Sequence, residues 1–152
     1  MKTQISIVIF VCCVASTAWP QPQAKHKITK FDVSGAGMGT GQGTVGLGVV
    51  GDGSVMGWYI DSNTVYHGFL RSPAGKITKF DPTGSQGTHP YGMNSSLAIT
   101  GYCADRAGAA HGFLRSPKGK FTEIGVQGAG TGSGQGTVPE RQYQRRDRRI
   151  LC

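Results

Sequence analysis

The chain has 152 residues, with 16 Lys and Arg against 8 Asp and Glu, a formal net charge of +8, and 25 glycines. One domain is the expectation at that length; 16% charged residues exclude a highly charged disordered chain, and glycine without a strict three-residue period excludes a collagen. No apolar run reaches about 18 residues, so no membrane span is predicted, and composition points to no substrate or reaction.

Lys2 precedes an apolar stretch from Ile5 to Ala15, and Ser16, Thr17 and Ala18 place small residues where a signal peptidase reads. Residues 1–18 are therefore predicted to be a secretory signal peptide and the mature protein to be secreted, with residues 19–27 as a linker. Cleavage after Ala18 removes Cys12 and Cys13. Cys103 and Cys152 remain, too few for a disulfide framework. Cys103, in the strand-like ITGYC, is expected to be a buried free thiol, because free cysteine behaves as a small hydrophobe.

From residue 28 the chain repeats itself. ITKFD at 28–32 is predicted as a leading strand and returns at 77–81, 49 residues on; HGFLRSPAGK at 67–76 returns as HGFLRSPKGK at 111–120, 44 residues on. GAGMGTGQGT and GAGTGSGQGT bound the array, while the middle copy is shortened to GSQGT. A segment that loses five residues without disturbing its neighbours is a surface loop.

Within a unit, four strands are predicted. Val45–Val50 leads through Gly51, Asp52 and Gly53, a hairpin turn, into Val55–Ile60, whose apolar residues on both faces suit a strand between two layers. Val65–Arg71 follows. Ser72, Pro73, Ala74 and Gly75 then suit a type I turn, proline setting φ and glycine taking the left-handed position, before Lys76–Asp81. Met93, Ile99, Tyr102, Phe113 and Phe121 occupy the corresponding apolar places in the second copy.

Repeated units fix an architecture before propensity does. The predicted fold is all-β: propeller-like four-stranded antiparallel blades of 44 to 49 residues in an incomplete ring, with a small β-sandwich as the alternative. Residues 28–137 hold about two complete units plus partial ones. Propellers typically close with about four to eight blades. Two blades are expected to leave faces such as those of Trp58 and Tyr102 uncovered unless chains self-associate to complete the array.

HGFLRSPxGK, ITKFD, GAGxGxGQGT and YGMN followed by ITGY resemble the bacterial extracellular repeat family named for its His-Ala-Phe motif, with Gly68 and Gly112 in place of alanine. The resemblance covers about residues 28 to 137. It implies export and tandem repetition, usually over more units, and brings no established catalytic residues. After GQGT at 134–137 the pattern breaks: residues 138–152 carry five arginines against Glu140 and Asp147 and no glycine. An arginine-rich run where a periodic coding sequence stops is what a shifted reading frame produces, so this tail is expected to be a disordered frameshift product on a truncated member.

Little chemistry recurs in phase. His67 and His111 do, and neutral imidazole suits metal ligation or general base catalysis. Neither has a carboxylate within its own strand, so each is expected to be a strand-start residue bonded to neighbouring backbone. His26 and His89 do not recur and carry less weight. The glycine-rich loops lack the spacing and the lysine of a P-loop and are expected to be flexible connections. Asp32, Asp61, Asp81 and Asp105 recur as isolated carboxylates, which suits capping of turns and strand ends better than calcium ligation. No metal or cofactor is predicted. RRDRR in the tail offers unspecific charge attraction only, so no specific nucleic-acid partner is expected.

The leading expectation is a secreted non-catalytic β-repeat protein contacting extracellular protein or glycan, with Trp58, Tyr66 and Tyr91 as binding candidates that compete with a core role. The alternative is a propeller-type lyase or hydrolase acting on extracellular polymers, with His67 and His111 catalytic. An inactive truncated fragment is the third.

Overall fold

A computed structural model describes residues 28–139; the predicted signal peptide, the linker and the tail from residue 140 lie outside the described residues. The chain divides into two compact units, Met1–Lys30 and Phe31–Cys152. Of the first only residues 28–30 are described, and they have no regular structure.

The second unit holds β1 (Gly43–Val49), β2 (Val55–Ile60), β3 (Tyr66–Arg71), β4 (Ile77–Phe80), β5 (Gly87–Met93), β6 (Ile99–Ala104), β7 (Ala110–Arg115) and β8 (Phe121–Ile124). The strands form two four-stranded sheets, β1-β2-β3-β4 and β5-β6-β7-β8, each antiparallel and neither closed into a barrel. No helix occurs among the described residues. The fold is all-β, and in the first sheet each strand lies within two residues of its predicted bounds.

Matching turns set matching registers. Gly75 and Gly119 both have φ of +90° and donate their N–H groups to the Ser72 and Ser116 carbonyls at 2.9 Å, which is the predicted proline turn in both copies. The Ser72 and Ser116 hydroxyls then accept the Lys76 and Lys120 N–H groups at 3.1 and 3.0 Å. Gly57 and Gly101 face the inner edge strands so closely that a Cβ would overlap the Val45 and His89 carbonyl oxygens. Each sheet bulges there, between Gly46 and Gly48 and between Pro90 and Gly92.

Residues 28–32 differ from expectation, for ITKFD is not a strand there. Its second copy forms β4 because β3 supplies a partner, Gly68 opposite Phe80; no described strand stands beside the first copy to complete a ladder. The side-chain packing survives nonetheless. Phe31 lies edge-on to Phe69 at 5.9 Å and beneath the Arg71 guanidinium at 4.9 Å, as Phe80 lies beneath Arg115 at 4.9 Å.

The glycine-rich loops are also more ordered than expected. Gln42 folds back to accept the Gly39 N–H at 2.8 Å, and Gln135 does the same for Gly132 at 3.1 Å. Thr44 and Thr137 hydroxyls accept the Val33 and Val126 N–H groups, so the outer loops share one hydrogen-bonded form.

Period-two alternation sends the two faces of β2 into different cores. Val33, Tyr59 and Phe69 form one, with Phe31, Ala36, Val55 and Ile77 around them. Met56, Phe80, Ile99 and Phe113 form the other, between the two sheets. Phe69 and Met56, 0% and 1% exposed, each contribute about 1.5–3 kcal/mol by burial. Trp58 therefore does not lie on an uncovered face: it shares its side of β2 with Met56, toward the second sheet.

Candidate functional site

His67 and His111 take the second position of β3 and β7, and each imidazole faces two carboxylates. His67 Nδ1 lies 2.9 Å from Asp81 and Nε2 lies 3.6 Å from Asp61. His111 Nε2 lies 3.0 Å from Asp105 and Nδ1 3.1 Å from Glu123. The expected backbone partners are thus replaced by carboxylates: the in-phase Asp61 and Asp105 of the preceding turns, and a second that differs between the sheets, Asp81 just past β4 and Glu123 within β8. Asp61 and Asp105 cap those turns as expected: Asp61 accepts the Asn63 and Val65 N–H groups, and Asp105 those of Ala107 and Ala109. One carboxylate oxygen holds the turn while the other faces the imidazole.

The electrostatics follow from these bonds. The Val65 amide, then the Asn63 amide and His67, hold the Asp61 carboxyl below its ordinary value. His111 and the Ala109 amide do so for Asp105. Asp105 first, then Glu123, raise His111 above the usual imidazole value. Such an arrangement is a clasp, since both nitrogens of each ring already face carboxylates. Neither histidine shares a site with the other, and among the described residues no group of three or more His, Cys, Asp or Glu side chains is placed to hold a metal ion.

Beside His111 the second sheet opens a cleft of about 280 Å³, walled by Pro82, Cys103, Phe113 and Phe121 with Asp105 and Glu123 at its acidic side. Among the described residues Cys103 has no disulfide partner, and it is half-buried on this wall rather than sealed in a core as expected. Burial, then Glu123 and Asp105, raise its pKa, which keeps the thiol protonated at neutral pH and unfit as a nucleophile. A pairing with Cys152 falls outside the described residues.

The predicted binding aromatics do meet. Trp58 on β2, Tyr66 on β3 and Tyr91 on β5 are half-buried members of a cluster that also includes His89 and Tyr102. His89 is the hub: its ring stacks on Tyr102 at 4.6 Å and 10°, lies 4.4 Å from Tyr66, and meets Trp58 edge-on at 6.2 Å. Burial lowers the His89 pKa, keeping its ring neutral and suited to stacking. Sequence reasoning set His89 aside because it does not recur; the structure places Val45 at the in-phase position. The signal for it lies in the cross-strand register, where His89 opposes Tyr102 as Val45 opposes Trp58.

Comparison of the chain with family models, curated proteins and solved structures finds no match.

Proposed function

We propose that the chain is a secreted, non-catalytic β-repeat protein related to the His-Ala-Phe repeat family, built as two blades of a propeller-like array, and that it contacts extracellular glycan or protein. The aromatic cluster around His89 carries this reading. Rings from both sheets gather at one seam while staying partly exposed. Tyr and Trp combine an apolar body with a polar tip, and their few rotatable bonds give contact area at low entropic cost. The histidine clasps favour contact over turnover, because a general base needs a ring nitrogen turned toward substrate.

Self-association belongs to the same reading. Leu114 and Ile124 are each 38% exposed on the second sheet. Their in-phase counterparts Leu70 and Phe80 belong to the core between the sheets, so the second sheet offers the surface on which another copy would continue the array.

Calorimetric titration of the mature chain with soluble extracellular polysaccharides and with secreted proteins tests the proposal. Saturable binding without product release is expected, weakened at least about tenfold by Trp58→Ala or Tyr66→Ala. Polymer cleavage abolished by His111→Ala would establish the lyase or hydrolase instead, and absence of any binding would leave the inactive fragment.

A further inference from the structure

The two repeat units fill the same place differently. Tyr59 opposes His67 across β2 and β3, and Cys103 opposes His111 across β6 and β7, so both pairs stand at one position of the common register. In the first unit the Tyr59 ring stacks on His67 at 4.8 Å and 21°, and the Lys79 ammonium lies 5.2 Å from its centroid. Tyr59 is only 6% exposed. In the second unit the residues at these places are Cys103 and Glu123.

Two glycines locate the space that results. Gly35 and Gly84 end the in-phase segments DVSG and DPTG, with φ of +93° and +84°. A Cβ built on Gly35 would lie 3.3 Å from Lys79 Nζ and 4.0 Å from the Tyr59 ring, whereas one built on Gly84 meets nothing within 4 Å. Gly84 lines the cleft. The surrounding wall is retained, with Phe113 in place of Phe69 and Phe121 in place of Ile77, so the sheet has not collapsed into the opening.

Charge is reversed along with shape. Where the first unit presents the Lys79 ammonium, the second presents Glu123, and Asp105 lines the same cleft, whose lining residues include no lysine or arginine. Even with His111 protonated, two carboxylates against one imidazolium leave the cleft negative.

We infer that this cleft binds a small molecule joining an aromatic ring to a protonated amine, its ring over His111 in the place of Tyr59 and its ammonium paired with Glu123. The first unit thus carries as its own side chains what the second takes from solution. The cleft volume of about 280 Å³ is at the small end for ligand sites, which suits a single ring with a short amine arm. This site is separate from the aromatic cluster and stands whether or not that cluster binds glycan.

Tyramine is the probe, because it joins the phenol of Tyr59 to an ammonium. 4-Hydroxyphenylacetate, with the same ring and a carboxylate, is its control. Titration calorimetry on the mature chain should give saturable tyramine binding at least about tenfold tighter than the control. Cys103→Tyr, which refills the cleft as in the first unit, should abolish it. Glu123→Gln should reduce the preference for the amine, and this exposed position keeps the test decisive if Cys103→Tyr does not fold. Trp58→Ala should leave tyramine binding unchanged. No binding, equal binding of the carboxylate, retained binding in folded Cys103→Tyr, or loss in Trp58→Ala would overturn the assignment.

Discussion

The first sheet seals its interior around Tyr59, Val33 and Phe69, while the second, with the same strand order and register, leaves the matching region open around Cys103. Ladder hydrogen bonds, proline turns and the turn aspartates facing the histidines are alike in both. The difference lies in side chains whose removal breaks no backbone bond. A repeat held by its ladder and turns can therefore change an interior residue and gain a cavity without losing its register. Stability and site chemistry are separable in such a scaffold.

Truncation should expose that contrast most strongly. Phe69→Ala is expected to cost about 3–5 kcal/mol in denaturant unfolding, because its sealed neighbours cannot relax. Phe113→Ala should cost less, since its surroundings already border open space. Equal losses would mean that the cleft changes shape but not packing energy. Carving the first unit into the form of the second is the next test: Tyr59→Cys should destabilise by about 2–4 kcal/mol and leave the far-ultraviolet circular dichroism unchanged.

A smaller effect separates two histidines of the second sheet. The raised pKa of His111 gives stability that is full below the unfolded value of about 6.5 and lost as pH rises through the folded value. The lowered pKa of His89 gives stability present above about 6.5 and lost as pH falls toward its folded value. Stability against pH should therefore peak near about 6.5. Chemical denaturation across pH 5 to 8 should show His111→Gln flattening the alkaline limb and His89→Phe the acid limb. A peak unchanged by either substitution would remove these groups as its cause.

Much of this was legible in the chain, and the reasons differ by residue. HGFLRSPxGK located β3 and β7 with their turns, because proline fixes φ locally and glycine accepts the positive φ that the turn requires. Residues 28–32 misled as a strand since a ladder needs a neighbour, which no local pattern supplies. The clasps were hidden because Asp61 lies six residues and Asp81 fourteen from His67, distances bridged only by pairing of strands. Asp61 and Asp105 nevertheless precede their histidines by the same interval, a signal visible once recurring residues are compared with one another. Trp58, Tyr66 and Tyr91 could be nominated by type, but His89 gains its place only from the packing of β5 on β2 and β3.

The stacking of Phe80 beneath Arg115 and of Phe31 beneath Arg71 has a thermodynamic consequence. Each aromatic ring ends one unit, and each guanidinium belongs to the next. Part of the energy that holds a strand in place is thus stored across a boundary. In a nearest-neighbour description, such coupling makes folding of one unit favour folding of the adjoining one. With the ring in place under Arg115 the pair should melt as one cooperative block, and weakening that ring should let the two sheets melt apart.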